Sequence, residues 1–160
     1  MRLFIIINIL INLLILSSCN INKLDKIDNR QFYQYKDLYS INNLKDEFFN
    51  KEYKSYYIYL FKLTCIYCEN IKSIVLDYLD SNLDPPLYFY IIHKEFDVSI
   101  FKESSNISKE EKIKESINKS NLKDIYYLCC PSLYLIKDKS LSNIYLGSNS
   151  IKEELTKYKK

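Results

Sequence analysis

The chain predicts a single α/β domain built around a parallel strand–helix–strand crossover. Three observations carry that prediction. Tyr56 to Lys62 is almost unbroken in apolar and aromatic character, as a strand buried on both faces should be. Ile71, Ile74, Val75, Tyr78 and Leu79 then recur at helical spacing and make one stripe. Leu87 to Ile92 is a second short apolar run, and Asp84-Pro85-Pro86 in front of it forbids helix. The run from Tyr56 to Ile92 is long enough for a right-handed parallel connection.

Between the first strand and the helix stands Cys65-Ile66-Tyr67-Cys68. Two cysteines at that spacing can close a reversible disulfide. Cys65 is expected at the helix N-terminus, where free backbone N–H groups and the helix dipole stabilise a thiolate, the nucleophile of disulfide exchange. Cys68 is expected one turn before the apolar stripe.

The 160 residues suffice for one domain with a real core. Hydrophobic residues make up 48% and charged ones 27%, which excludes a disordered chain and a membrane bundle. A net charge of +3 is too small to point to nucleic acid or acidic lipid. Tyr, Lys, Asn and Ile are abundant, and Gly, Pro and Trp scarce. Codons rich in A and T produce that bias by themselves, so the aromatic content is no sign of base stacking or sugar binding.

The N-terminus reads as a targeting segment. Met1-Arg2 gives a short positive start, and Leu3 to Leu16 is apolar apart from Asn8 and Asn12. The stretch is shorter than the ~20 residues a spanning helix needs. Leu16-Ser17-Ser18-Cys19 follows and resembles a bacterial lipobox. The resemblance implies a lipoprotein signal peptide over residues 1–18, acyl chains on Cys19, and a lipid anchor that holds the domain on the extracytoplasmic side of the cell envelope, where disulfides persist. With Cys19 assigned to lipid, Cys65, Cys68, Cys129 and Cys130 remain as two close pairs, which suggests one site rather than a disulfide scaffold.

Residues 19–39 are polar and without a clean period, and read as a tether, with the domain over 40–160. Ser40 is a candidate cap for a short helix with Ile41, Leu44 and Phe48 on one face. Ser108-Lys109-Glu110-Glu111 has the capping-box pattern and opens a polar helix with i,i+4 pairs Glu110/Lys114 and Glu115/Lys119. Ser132 to Lys137 and Leu141 to Leu146 read as a hairpin around Asp138-Lys139-Ser140. Gly147, the only glycine in the chain, suggests φ > 0 or close packing. Ser150-Ile151-Lys152-Glu153 reads as a second capping box, opening a last helix with Ile151, Leu155 and Tyr158 inward.

Taken in order, Cys65-Ile66-Tyr67-Cys68 at a helix start, Pro131 opening a strand, and Pro131-Ser132-Leu133-Tyr134-Leu135-Ile136-Lys137 followed by Gly147 and Ser150 resemble the thioredoxin superfamily, with lipid-anchored thioredoxin-like proteins of bacterial envelopes as the nearest type. The resemblance implies a βαβαββα sandwich with a central mixed four-stranded sheet and flanking helices. It implies a thiol–disulfide oxidoreductase acting on exported protein thiols or disulfides, with Cys65 as attacking thiolate and Cys68 as buried resolving thiol. Pro131 would be cis, and the backbone of Cys130 would pair with a substrate peptide. No cofactor is implied, and a monomer is expected. The family's tryptophan before the first cysteine is Thr64 here, and its buried acidic residue is replaced by Tyr59. A proton-shuttle role then falls to Glu69 or Tyr67.

Strand alternation would send Cys129 and Cys130 to opposite faces, so one of them faces Cys65, with Cys130 favoured. A third thiol beside the pair could accept the disulfide or help to bind a soft metal such as Zn²⁺ or Cu⁺. A non-catalytic module that binds a metal or peptide is therefore the competing reading. His93, the only histidine, reads as a strand-end surface residue.

Overall fold

Strand β1 (Ser55–Phe61) lies between two partners at the heart of a four-stranded sheet. In this computed structural model the described residues are 30–93, 98–103 and 105–158. The elements in order are a 3₁₀ turn (Phe32–Tyr35), α1 (Lys36–Tyr39), α2 (Leu44–Glu47), β1, α3 (Ile66–Glu69), α4 (Lys72–Asp80), β2 (Leu87–Ile91), α5 (Lys109–Ser116), a second 3₁₀ turn (Leu122–Asp124), β3 (Ser132–Lys137), β4 (Ser140–Leu146) and α6 (Gly147–Thr156). The sheet order is β2-β1-β3-β4. β1 runs parallel to β2 and antiparallel to β3, and β3 and β4 form an antiparallel hairpin. This is the mixed βαβαββα arrangement expected from the sequence. Among the described residues no helix is long and apolar enough to cross a membrane.

Alternation along β1 explains its continuous apolar character. Tyr57, Tyr59 and Phe61 enter one core with Cys68, Val75, Leu76, Leu133 and Ile151. Tyr56, Ile58 and Leu60 enter the other with Leu44, Phe48, Ile125, Tyr134 and Leu141. Each face is covered, so no position on β1 from Tyr56 onward is left for a polar side chain. Tyr57 satisfies its hydroxyl by donating to Glu154 of α6 at 2.5 Å. Glu154 is itself buried and accepts from Lys157 at 2.5 Å.

The start of the domain departs from expectation. Residues 30–39 are folded onto the domain, so the tether expected over 19–39 has its last ten residues in the fold. Phe32 is 6% exposed and packs 4.2 Å, centroid to centroid, from Phe61 and 5.2 Å from Phe89. Arg30 reaches Asp77 at 2.6 Å and Asp80 at 2.5 Å on α4. The Tyr35 hydroxyl donates to Asp80 and that of Tyr39 to Asn82, both at 2.7 Å. The expected signal peptide and Cys19 lie outside the described residues.

Ser40 opens no helix; it closes α1 as its C-cap, donating its N–H and hydroxyl to the Lys36 carbonyl at 3.2 and 2.6 Å. Ser40 bridges to Phe89, and the Ile41 N–H donates to the Phe89 carbonyl at 2.8 Å, which extends the free edge of β2. Asn43 takes over as cap of α2, accepting from the Lys45 N–H at 3.1 Å. The Ser108–Glu111 box forms as expected, with Ser108 Oγ accepting from the Glu111 N–H and Glu111 Oε2 from the Ser108 N–H. Glu115 bonds Lys102 at 2.9 Å. The hairpin turn places Asp138 and Lys139 at φ 46° and 61°, the two positive dihedrals of a tight two-residue connection. Gly147 has φ 75°, and a Cβ there would meet nothing within 4 Å, so its backbone conformation and not crowding calls for glycine. α6 starts at Gly147, one turn earlier than the Ser150 box predicted.

Two predictions follow from these contacts. Phe32→Ala should lower stability by about 3 kcal/mol in urea unfolding, as a large-to-small core change does; a Phe32→Ala protein as stable as the parent would return residues 30–39 to a tether. Burial works against the Glu154 carboxylate, but hydrogen bonds from Lys157 and Tyr57 outweigh it and hold Glu154 below its ordinary value of 4.5. A depressed folded value means stability that is present above pH 4.5 and is lost as pH falls through the folded value. Glu154→Gln should therefore cost about 1–2 kcal/mol at neutral pH and flatten the acid limb of the stability profile below the ordinary glutamate range.

Candidate active site

The site is assembled where β1 ends. Phe61 is the last strand residue, Leu63-Thr64 turn the chain, and Cys65 is the N-cap of α3. Extended backbone at Cys65 (φ −93°, ψ 112°) lets its side chain fold over the first turn. Its Sγ accepts from the Cys68 N–H at 3.3 Å, so a sulfur occupies the place of the usual cap oxygen. The helix expected here is interrupted. α3 is a single turn, Asn70 and Ile71 break it, and α4 carries the rest of the stripe. Cys65 therefore stands at the head of one turn, with the Cys68 N–H on its sulfur, and not at the N-terminus of a long helix.

Cys65 is half-buried and Cys68 is 3% exposed, on the core face with Tyr59 and Ile71. Burial pushes the Cys68 thiol up, and the hydrogen bond and charge of Cys65 and the charge of Cys130 push the same way. Leu63, Ile66 and Tyr67 stand exposed around the pair, an apolar rim on an otherwise charged surface. A cleft of about 420 Å³ opens on the other side of Cys68, lined by Phe32, Phe61, Leu63 and Lys72 among others.

The opposite wall comes from the segment before β3. The Cys130–Pro131 bond is cis. The Cys65 thiol faces the Cys130 carbonyl at 3.8 Å. The Pro131 carbonyl accepts from the Gly147 N–H at 3.0 Å, which ties this segment to the start of α6. Thus Cys65, Cys68, Cys130 and Pro131 are brought together. Cys129 and Cys130 lie outside β3, which begins at Ser132, so strand alternation does not govern them. Both are half-buried. Burial raises the Cys129 thiol, with Lys109 opposing. Burial raises the Cys130 thiol too, with the Tyr127 hydroxyl and the charge of Lys62 opposing. The Tyr127 oxygen is 2.9 Å from Cys130 Sγ. A second cis bond, Asp84–Pro85, lies in the extended lead into β2.

Neither candidate for the missing acid fills its place. Glu69 is 67% exposed and pairs with Lys72 at 3.3 Å, and Tyr67 points to solvent. Tyr59 occupies the position itself. Its hydroxyl is buried without a hydrogen-bond partner, and burial, then the charges of Cys68, Cys65 and Cys130, push its phenol up. Tyr127 is the site residue that sequence reasoning missed, since a loop tyrosine in a tyrosine-rich chain carries no pattern. His93 is exposed, as expected. Among the described residues no group of three or more His, Cys, Asp and Glu side chains is gathered as a metal site, so the soft-metal reading has no donor set there.

A mixed β2-β1-β3-β4 sheet, a dithiol at the C-terminal end of β1 and a cis-proline opposite it define a thioredoxin-like fold. Solved structures similar to this chain include three from thiol-redox systems. Mitochondrial thioredoxin 3 from Saccharomyces cerevisiae, in its oxidised form, is 22% identical over 75% of this chain and 92% of its own, with a TM-score of 0.44. The oxidised thioredoxin from Plasmodium falciparum is 15% identical over 75% of this chain and 96% of its own, with a TM-score of 0.45. A structure addressing thiol resolution in yeast mitochondrial 1-Cys peroxiredoxin by the glutathione and thioredoxin systems is 20% identical over 75% and 92%, with a TM-score of 0.44. No family model and no curated protein matches the chain.

Proposed function

We propose that this protein is a thiol–disulfide oxidoreductase that acts on exported proteins through Cys65 and Cys68. The observation that carries the reading is the half-buried Cys65 sulfur, which takes the Cys68 N–H at 3.3 Å and faces the carbonyl beside a cis-proline. The Cys68 N–H fixes that sulfur over the first turn of α3.

The exchange runs in two steps. The Cys65 thiolate bonds to one sulfur of a partner disulfide, and the partner's other sulfur leaves with the electron pair and takes up a proton. Cys68 then loses its proton and attacks the Cys65 sulfur, and the second partner sulfur leaves as a thiol. The partner gains two electrons and the Cys65/Cys68 pair becomes a disulfide. Run backwards, the same steps oxidise a dithiol. The backbone of Cys130, fixed next to Pro131, is the edge along which an extended partner segment would lie, and the apolar rim of Leu63, Ile66 and Tyr67 suits a partially unfolded one. A lipid on Cys19 would hold the site at the outer face of a membrane.

Cys65→Ser should reduce insulin disulfides no faster than the uncatalysed background. A Cys65→Ser protein that matches the parent would remove the oxidoreductase reading. Separately, cells expressing the full chain should incorporate labelled palmitate into it, and Cys19→Ser should abolish the label; label retained in Cys19→Ser would remove the anchor.

A further inference from the structure

We propose that Cys130 is a second resolving thiol, able to attack the Cys65 sulfur of a mixed disulfide in parallel with Cys68 and to close a Cys65–Cys130 disulfide. The inference rests on the oxidoreductase reading above and adds a second exit to it.

Placement comes first. The Cys130 carbonyl oxygen is 3.8 Å from Cys65 Sγ. A carbonyl oxygen is about 2.4 Å from its own Cα, so the Cys130 Cα lies within about 6.2 Å of that sulfur. The Cys130 side chain and a small shift of the strand-free segment Tyr127–Cys130 can span the remainder. No regular hydrogen-bond ladder has to break, because β3 begins only at Ser132.

Chemistry comes second. A resolving thiol must shed its proton. Cys68 is 3% exposed, and the groups acting on it are other thiols and backbone, with no carboxylate among them. Cys130 is half-buried, with the Tyr127 hydroxyl 2.9 Å from its sulfur and the positive charge of Lys62 acting on it. Once the Cys130 thiol ionises, the phenol is the donor and holds the charge. Cys65 Sγ thus has the Cys68 N–H as its donor, and Cys130 Sγ has the Tyr127 hydroxyl within hydrogen-bond reach.

The step balances without another reagent. The Cys130 thiol gives its proton to water, and its sulfur bonds to Cys65 Sγ. The bond from Cys65 to the partner breaks, its electron pair leaves on the partner sulfur, and that sulfur is protonated. The oxidant is the partner disulfide that formed the mixed species.

The test uses the full chain with Cys19→Ser in detergent, loaded at Cys65 with glutathione from oxidised glutathione, with release followed by intact mass and the new disulfide mapped by peptide mass. In Cys68→Ser, glutathione should leave with a Cys65–Cys130 bond formed, at least about tenfold faster than in Cys68→Ser/Cys130→Ser. Cys68→Ala, alone and with Cys130→Ser, repeats the comparison should the buried serine unfold the protein. A mixed disulfide that stays trapped in the folded single variant overturns the proposal, and so does equal release from single and double variants. If the Cys68-containing parent exchanges disulfides while the single variant traps, only this inference fails. If oxidised glutathione neither adds to Cys65 nor oxidises the Cys65/Cys68 pair in the parent, the oxidoreductase reading fails with it.

Discussion

The double burial of β1 constrains everything around it, because a strand with no wet face needs a cover on each side. On one side α4, α6 and the Phe32 turn supply it, and on the other α2, Ile125 and the second 3₁₀ turn. Parallel pairing to β2 then requires a crossover, and the crossover starts where β1 stops. That is why a pair of cysteines placed just after Phe61 sits at the sheet's C-terminal edge. The antiparallel register of β1 with β3, running from Ser55↔Lys137 to Leu60↔Ser132, brings Pro131 to the same edge. Sheet register, not local loop structure, makes Cys65 and Cys130 neighbours.

The same burial sets the electrostatics. No carboxylate is among the groups acting on Cys68, Cys129, Cys130 or the Tyr59 phenol, and burial favours the neutral form of those four. On Cys130 the Tyr127 hydroxyl works against burial, which still holds the thiol raised. Tyr59 fills the space of an acid without providing a base. Its hydroxyl has no partner, and an unpaired buried hydroxyl is a cost the fold carries elsewhere through Tyr57–Glu154 and the aromatic packing around Phe61.

Much of this was legible in the sequence, and the failures have physical causes. β1, β2 and β3 were readable because continuous apolar runs of that length have few other uses. Gly147 was readable because one glycine in 160 residues must answer a backbone demand. Residues 30–39 were not, since Phe32 alone is buried there while Tyr33 and Leu38 are exposed, and one anchor leaves no period to detect. The break at Asn70-Ile71 was hidden because the stripe Ile71, Val75, Tyr78, Leu79 continues in phase across it. Ser40 looked like the start of a helix, but it ends one, and the next residue, Ile41, bonds the free edge of β2. The pairing of Tyr127 with Cys130 depends on where a loop folds, and sixteen tyrosines make any one of them invisible.

The order of events in the proposed reaction can be argued from mutual repulsion among the sulfurs. Charge on Cys65 opposes ionisation of both Cys68 and Cys130. While Cys65 is the nucleophile, the other two are therefore kept as thiols and do not compete for the partner. When Cys65 enters a mixed disulfide its sulfur becomes neutral and that opposition is gone. Each remaining thiol is then easier to ionise, at the moment when its attack is needed. The charge on Cys65 thereby separates capture from release. Which of the two sulfurs attacks Cys65 first is decided by what burial still withholds from Cys68 and what Tyr127 and Lys62 give to Cys130.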